Sequence, residues 1–342
     1  MSDLSTAASL DGEAAAALAG RPGPGTASRR GPGGPGSAVG LDIGGTKVLA
    51  AFLGSDGVAR ETLRLPTVRG PEGVVSSAAR AVREVVRRAC GDLADVDGVG
   101  VGVPGLVDPA DGSVVHAVNL GIEGGRFALA EALSAELGGV PVQVDNDLNV
   151  AALGASHLRG AEGEDLAFLA LGTGLAAGIV LGGALRRGVR GGAGEIGHIP
   201  IDPRGPECAC GQRGCVEVYA SGSAVSARWP SRHGRPAPAE LFEAAAAGDP
   251  DAIRIKDEFA SAVASAVRIL ELTVDVRRVG LGRGVSAVGP RLGGAGRAAL
   301  DAQSSTSPFL SSLRLSERVS LAPPDVPVAA VGAALVGRRK VL

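Results

Sequence analysis

The sequence of 342 residues contains few aromatic residues and almost no net charge. Phe, Trp and Tyr make up 2% of the chain, which leaves few rings to stack on nucleic-acid bases. The formal net charge is -2, so the chain lacks the excess of cations that attracts nucleic acid or an anionic membrane. The composition therefore argues against both kinds of partner.

Long apolar runs are also absent from the sequence. No segment reaches the roughly 18 consecutive apolar residues of a membrane-spanning helix. The first residues include Asp3, Glu13 and a short alanine run, whereas an export signal has a basic stretch followed by a longer apolar one. With 45% hydrophobic and 20% charged residues, the chain is typical of a globular protein. We expect it to be cytoplasmic and, because of its length, to fold as two lobes.

The organisation of the chain changes near Ala38. Residues 1–37 are rich in Ala, Gly, Pro and Ser and cannot bury enough apolar surface to offset chain entropy, so we expect them to be disordered. After them, a strand, a glycine–threonine turn and a second strand occur twice, at 38–53 and 166–181, which indicates a duplicated fold. Further strands are predicted at 60–65, 96–103, 113–118, 140–144 and 276–281, and helices at 74–89, 127–137, 241–272 and 328–336.

The two glycine–threonine turns are candidate phosphate-binding loops. Their residues are Gly44-Gly45-Thr46-Lys47, which follow Asp42 at a strand end, and Gly172-Thr173-Gly174. Glycines let backbone N–H groups approach an anion, Thr46 adds a hydroxyl, Lys47 adds charge, and Asp42 offers oxygen to Mg²⁺ through water. Each turn leads into a strand, unlike the Walker and dinucleotide motifs. An ordinary glycine hairpin is the alternative, but the repetition favours phosphate.

A histidine and three cysteines form a candidate metal site. His198, Cys208, Cys210 and Cys215 fall within 18 residues, and thiolate with imidazole suits tetrahedral zinc. Chance packing or a redox pair is the alternative. Cys90 stands apart in a predicted helix, where we expect a buried, inert thiol.

Carboxylates provide the candidates for chemistry. Asp145-Asn146-Asp147 follows a predicted buried strand and opens a helix that ends at Ala155. Phosphoryl transfer to an alcohol requires a carboxylate near the attacking hydroxyl. The alternative is that one of these side chains only caps the helix. Two further carboxylates, Glu195 and Glu217, flank the cysteine cluster.

Several segments together resemble one family. They are L-D-I-G-G-T-K at 41–47, G-V-P-G at 102–105, N-L-G at 119–121, N-D-L-N-V-A-A at 146–152, L-G-T-G at 171–174, and the stretch 194–222. The last combines G-E-I-G-H, C-x-C-G-x-x-G-C-x-E and S-G, which is highly specific. The sequence resembles the ROK family (repressors, open reading frames and kinases), especially its bacterial glucokinase-like sugar kinases, over about residues 38 to 340.

The resemblance implies an α/β, actin-like ATPase (ribonuclease H-like) fold with the active site in a cleft between two lobes. A small lobe at 38–145 would be completed by a C-terminal helix within 325–342, and a large lobe at 146–324 would carry a zinc loop at 194–222. The implied reaction is transfer of the γ-phosphoryl group of ATP, with Mg²⁺, to a hexose hydroxyl, foremost glucose to glucose 6-phosphate. Family members also suggest a homodimer or homotetramer.

The resemblance also implies a role for each motif residue. Asp147 becomes the catalytic base. The sugar ligands would be Asn119, Asn146, Asp147, Glu195, His198 and Glu217. A structural Zn²⁺ would be held by His198, Cys208, Cys210 and Cys215. Phosphates would bind at Gly44, Gly45, Thr46 and Lys47 and at Gly172, Thr173 and Gly174, and the adenosine side at Gly282 and Gly284, with Arg283 where the family usually has a third glycine.

Two other functions are compatible with these residues. The first is a kinase for an amino sugar (N-acetylmannosamine, N-acetylglucosamine or kanosamine) or for a cyclitol, since all need the same base and turns. The second is a sugar-responsive ROK repressor. A repressor needs an N-terminal DNA-binding domain of about 60 residues, whereas 37 low-complexity residues precede the first predicted strand.

Overall fold

The structure, a computed structural model, describes residues 36–159, 164–282, 284–322 and 326–338. The expected disorder of residues 1–37 therefore lies almost wholly outside the described residues, as does Arg283. The chain divides into two compact units. The first contains the described residues up to 159 together with 326–338, and the second contains those from 164 to 322.

The strands of the described residues are β1 (Ala38–Ile43), β2 (Lys47–Leu53), β3 (Ala59–Pro66), β4 (Gly98–Val103), β5 (Leu106–Asp108), β6 (Ser113–Val115), β7 (Val142–Asn146), β8 (Leu166–Leu171), β9 (Leu175–Leu181), β10 (Ala184–Leu185), β11 (Arg278–Gly282) and β12 (Val319–Leu321).

The α-helices of the same residues are α1 (Pro71–Ala89), α2 (Leu129–Glu136), α3 (Asp147–His157), α4 (Glu217–Ala220), α5 (Gly222–Arg228), α6 (Ala237–Ala246), α7 (Pro250–Val274), α8 (Pro290–Ser304), α9 (Pro308–Ser312) and α10 (Val328–Gly337). Among them, none combines the length and the apolar character that crossing a bilayer would demand. Short 3₁₀ helices include Val118–Leu120, Ile196–His198 and Gly284–Val288.

The first unit is built on a five-stranded sheet in the order β3-β2-β1-β4-β7. β1 pairs antiparallel with β2 and parallel with β4, and β4 pairs parallel with β7. Every residue of β4 is buried, as expected for a parallel strand inside a sheet covered by helices. The carboxyl ends of the three parallel strands therefore lie at one edge, where the candidate carboxylates follow.

The C-terminal helix α10 packs closely against this sheet and against α3. A β-carbon on Gly332 would lie 1.7 Å from the Val150 carbonyl oxygen, and one on Gly154 would lie 1.8 Å from that of Val328. Only glycine permits such backbone contact between two helices. Because α3 packs on α10, the first unit continues through α3, whereas the sequence-based prediction ends its main segment at residue 145.

The second unit repeats this topology. Its sheet has the order β10-β9-β8-β11-β12, with β8 antiparallel to β9 and parallel to β11, which is parallel to β12. Its core includes an edge-to-face pair of Phe242 on α6 and Phe259 on α7, with ring centroids 6.1 Å apart. The duplication that the repeated turn indicated is confirmed.

Two of the predicted elements take a different form in the structure. The strand expected at 113–118 ends at Val115, because His116 adopts a left-handed conformation with φ of 56°, and a 3₁₀ helix at Val118–Leu120 follows. The helical region expected at 241–272 is two helices. Gly248, which follows the end of α6, has a φ of 92° and interrupts the helix. The Asp249 carboxylate then caps α7 by accepting from the N–H groups of Asp251 and Ala252.

Glu271 on α7 predicts an unusual pH dependence of stability. Its side chain is 3% exposed, and neither carboxylate oxygen has a hydrogen-bond partner among the described residues. Burial raises the pKa of Glu271 from 4.5 to about 8, although Arg318 opposes the shift. Since the unfolded chain ionises first, this group favours unfolding increasingly as pH rises from about 4.5 to 8. Glu271→Gln should therefore stabilise the second unit by about 3 kcal/mol at pH 7.

The measurement is urea unfolding of wild type and Glu271→Gln at pH 5 and pH 7.5. The gain should be small at pH 5 and large at pH 7.5. Glu317→Gln is the matched control, because Glu317 lies on the surface beside Arg314. Equal shifts for Glu271→Gln at both pH values would contradict the prediction.

Candidate active site

The first glycine–threonine turn has its carbonyl groups occupied and two N–H groups open. Thr67 donates its hydroxyl to the Gly44 carbonyl at 2.7 Å and its N–H to the Thr46 carbonyl at 3.2 Å. The Gly44 N–H closes the turn on the Lys47 carbonyl at 2.9 Å. Within the described residues, the N–H groups of Gly45 and Thr46 have no hydrogen-bond acceptor. Two successive open N–H groups are what a backbone anion site requires.

Asn119 lies beside this turn. A β-carbon on Gly45 would come within 2.6 Å of the Asn119 carbonyl oxygen, so position 45 accepts only glycine without a shift of the backbone. Asn119 itself is exposed on the 3₁₀ helix at Val118–Leu120. The fold thus brings one predicted sugar ligand next to a predicted phosphate loop.

Three aspartates stand at the carboxyl edge of the first sheet. Asp42 on β1 is in register with Gly102 on β4, which is in register with Asp145 on β7, and Asp147 begins α3. A β-carbon on Gly102 would lie 3.4 Å from the Asp147 Cα, so the missing side chain lets the start of α3 approach the sheet. Carboxylates at such an edge suit Mg²⁺ and phosphoryl transfer.

The three residues of the Asp145-Asn146-Asp147 segment make different contacts. Asn146 caps α3, because its Oδ1 accepts from the Leu148 N–H at 2.9 Å while its Nδ2 donates to the Gly105 carbonyl at 3.1 Å. Asp145 is 2% exposed and accepts from the Asn146 N–H and from Asn149 Nδ2. The capping alternative therefore applies to Asn146, and the half-buried Asp147 is the candidate base.

The second turn repeats the arrangement of the first. The Gly172 N–H bonds the Gly174 carbonyl at 3.0 Å, and the N–H groups of Gly222 and Ser223 bond the Gly172 and Thr173 carbonyls at 2.7 and 3.3 Å. Across the part of the chain that the structure describes, no acceptor meets the N–H groups of Thr173 and Gly174. The second turn is therefore also suited to an anion.

The G-E-I-G-H segment lies against the start of β9. The Ala177 N–H donates to the Gly194 carbonyl at 2.8 Å, and a β-carbon on Gly197 would lie 2.0 Å from the Leu175 carbonyl oxygen. Glu195 is exposed and His198 half-buried. This contact places two of the predicted sugar ligands near the second turn.

The histidine and the three cysteines converge as predicted. Their ligand atoms all lie within 4.8 Å of one another. Cys208 Sγ is 3.7 Å from His198 Nδ1, and Cys210 Sγ is 3.7 Å from Cys215 Sγ. Sulfurs bound at about 2.3 Å to one tetrahedral zinc would be roughly 3.8 Å apart, so the geometry fits a metal ion. All four cysteines of the chain are free thiols in the structure.

Gln212 influences the thiols of this cluster. Its Nε2 donates to the His198 carbonyl at 2.9 Å and to Cys210 Sγ at 3.5 Å. The Gln212 hydrogen bonds hold the pKa of Cys210 at about 6, whereas burial raises the pKa of Cys215 to about 12. Cys210 is thus prepared as a thiolate, and Cys215 would ionise in the presence of a cation.

Other contacts have no signal in the sequence. No local sequence pattern predicts the hydrogen bonds that Thr67 and Gln212 make. The same holds for the Glu217 carboxylate, which accepts from the Leu175 N–H at 2.8 Å. Gly282 has a packing role, because a β-carbon there would overlap the Phe168 ring at 2.1 Å. The adenosine-side role of Gly282 and Gly284 stays a prediction.

Each unit by itself therefore assembles part of the predicted site. The first holds Asp42, Gly44, Gly45, Thr46, Lys47, Asn119, Asn146 and Asp147. The second holds Gly172, Thr173, Gly174, Glu195, His198, the three clustered cysteines, Glu217, Gly282 and Gly284.

Comparison with known proteins agrees with these features. A profile of the ROK family matches residues 38–304. A glucokinase of Halalkalibacterium halodurans is 33% identical over 273 residues, covering 74% of this chain and 82% of that protein. An N-acetylmannosamine kinase of Citrobacter koseri is 33% identical over 252 residues, covering 73% and 83%.

A solved structure shares the fold. The ROK family glucokinase of Streptomyces griseus, in complex with glucose and AMPPNP, superposes with a TM-score of 0.69 at 31% identity, covering 89% of this chain and 99% of that one. The expected actin-like ATPase fold is confirmed, since both units also share one strand order. The family match over most of the chain, together with these relatives, shows that the protein belongs to the ROK family.

Proposed function

We propose that the protein is an ATP-dependent sugar kinase that transfers the γ-phosphoryl group to a hexose hydroxyl, foremost converting glucose to glucose 6-phosphate. The observation that carries this proposal is the repeated turn. Each unit offers two successive open N–H groups after a buried strand, and ATP supplies several phosphates for such groups. The glucokinase relative and the glucose-bound neighbour support glucose as the acceptor.

Asp147 is the general base in this proposal. It accepts the proton of the attacking sugar hydroxyl while Lys47 and the turn N–H groups neutralise charge on the phosphoryl oxygens. Its place at the first residue of α3, fixed by the Asn146 cap and buried Asp145, supports this role. Asp42 would help to hold Mg²⁺, which would supply positive charge for the phosphoryl oxygens.

The sugar is bound by amide, carboxylate and imidazole groups. We assign Asn119, Asn146, Asp147, Glu195, His198 and Glu217 to its hydroxyls, since a sugar needs both donors and acceptors. Asn146 Nδ2 keeps one hydrogen beyond its bond to Gly105. His198 turns Nδ1 towards Cys208, which leaves Nε2 for a sugar oxygen.

His198, Cys208, Cys210 and Cys215 would hold a structural Zn²⁺. A closed tetrahedral shell supplies folding energy and no open coordination position for chemistry. The ion would stabilise the zinc loop, residues 194–222, which carries Glu195, His198 and Glu217. We also propose that the enzyme is cytoplasmic, where ATP is available. It would form a homodimer or homotetramer and bind neither nucleic acid nor membrane.

An amino-sugar kinase is the second candidate function. The N-acetylmannosamine kinase relative is as similar in identity as the glucokinase relative, and it covers nearly the same share of the chain. One or two pocket groups decide between such close analogues. N-acetylglucosamine, kanosamine and cyclitols are therefore included in the test below.

A coupled ADP-release assay tests the proposal. Glucose, mannose, fructose, their N-acetyl forms, kanosamine and cyclitols are compared by kcat/KM with MgATP. Glucose should exceed each of the others by at least about tenfold. A preference for N-acetylmannosamine would establish the second candidate. DNA binding in a gel-shift assay with no turnover of any sugar would overturn the kinase in favour of a repressor.

Thr67→Val should weaken use of ATP without blocking chemistry. The substitution removes the hydroxyl that bonds the Gly44 carbonyl and keeps the Thr67 N–H bond to Thr46. One such hydrogen bond contributes about 1 kcal/mol, so the KM for ATP should rise about fivefold with kcat nearly constant. Thr67→Ser keeps the donor and should behave as wild type. Equal impairment of the Ser and Val variants would exclude this role.

A further inference from the structure

We propose that Glu217 is a positioning residue for the second phosphate turn, 172–174, and links that turn to the zinc loop. The inference rests on the proposed function, which assigns Glu217 only to the sugar. The same carboxylate also contacts the end of the turn proposed to bind the phosphates of ATP.

The Glu217 carboxylate contacts the turn directly. Its Oε2 accepts from the N–H of Leu175, the residue after the turn, at 2.8 Å. A β-carbon on Gly174 would lie 2.6 Å from the same oxygen. Leu175 is 3% exposed, so loss of this acceptor would leave a buried N–H without a partner. One oxygen therefore holds the end of the turn.

The residues that follow Glu217 hold the rest of the turn. Gly222 and Ser223 donate their N–H groups to the Gly172 and Thr173 carbonyls. A β-carbon on Gly222 would lie 2.8 Å from the Gly172 carbonyl oxygen, so this approach needs glycine. With those carbonyls bonded to the 217–223 segment, the N–H groups of Thr173 and Gly174 are the donors left for phosphate.

The metal cluster fixes the position of Glu217. Cys215 is fully buried two residues before it, and the Val216 N–H donates to the carbonyl of Ile199, the residue after His198, at 3.1 Å. Pro200 and Cys215 also form a β-bridge. The backbone just before Glu217 is thus bonded to the backbone that follows His198. A sugar bound by the other carboxylate oxygen would therefore meet a side chain that the turn already positions.

Calorimetric titration with MgAMPPNP in the absence of sugar tests the inference. Glu217→Ala should weaken nucleotide binding about tenfold or more, because the buried Leu175 N–H at the end of the turn is left without an acceptor. Glu217→Gln retains an oxygen acceptor for the Leu175 N–H and should bind AMPPNP within about twofold of wild type, while its glucose affinity falls. Glu195→Ala, the matched control on the same loop, should lose glucose affinity and keep nucleotide affinity.

Zinc content is measured for every variant, so that a general loss of the loop is recognised. Wild-type nucleotide affinity in Glu217→Ala would overturn the positioning role and leave the kinase intact. If Glu217→Ala does not retain zinc, the Glu217→Gln variant is used instead. Tenfold weaker AMPPNP binding by a zinc-loaded Glu217→Gln variant would also overturn the inference. Wild-type protein that binds no AMPPNP would instead overturn the proposed function.

Discussion

Asp147→Asn is expected to lower turnover of glucose by about two orders of magnitude or more, with the fold and glucose binding retained. The amide keeps the size and an oxygen of the side chain but cannot accept the proton of the attacking hydroxyl. The capping bonds that position α3 come from Asn146 and Asp145, so they survive the substitution. Turnover is measured by ADP release, glucose affinity by calorimetry and stability by thermal unfolding.

Asp145→Asn is the matched comparison for this variant. Asp145 is buried and accepts from Asn149 Nδ2 and the Asn146 N–H, so its substitution should lower the unfolding temperature of the protein. Asp147→Asn should leave that temperature unchanged. Normal turnover by a folded Asp147→Asn variant would show that another group is the base.

Cys210→Ser is expected to lower the affinity for zinc by about 100-fold or more, since even residues around a metal shell change metal affinity by about 10- to 100-fold. Glucose affinity should fall with it, because the loop that carries three of the proposed sugar ligands loses its metal. Cys210 is exposed, yet its sulfur lies 3.7 Å from Cys215 Sγ, and Gln212 favours its thiolate. A hydroxyl neither ionises nor binds zinc as a thiolate does. Metal content is measured by mass spectrometry on purified protein, and glucose binding by calorimetry.

Cys90→Ser provides the control. Cys90 follows α1, outside the cluster, and its thiol donates to the Asp92 carbonyl at 3.5 Å. The Cys90→Ser variant should retain about one zinc per chain, because the four predicted ligands form a single cluster. One equivalent of metal in Cys210→Ser would contradict the proposed ligand set.

Much of the local structure followed from sequence pattern. The bounds of β1, β2, β8 and β9 agree with prediction, because apolar runs between glycine–threonine turns are short and sharply limited. Helix α8 was not predicted. Its apolar pattern is interrupted by Gly293 and Gly294, and Gly293 is kept because Leu321 packs 3.3 Å from where its β-carbon would be.

The residue types at each motif are evident from the sequence alone: the glycines and threonines of the turns, the Asp147 carboxylate and the clustered histidine and cysteines. These residue types can be recognised because each motif lies within a short segment with a characteristic spacing. The contacts that hold the two turns in place come instead from long-range folding of the chain. Thr67 bonds Gly44 across 23 residues and Glu217 bonds Leu175 across 42. Such bonds depend on strand pairing and on the path of the zinc loop, which bring together residues that no local periodicity connects.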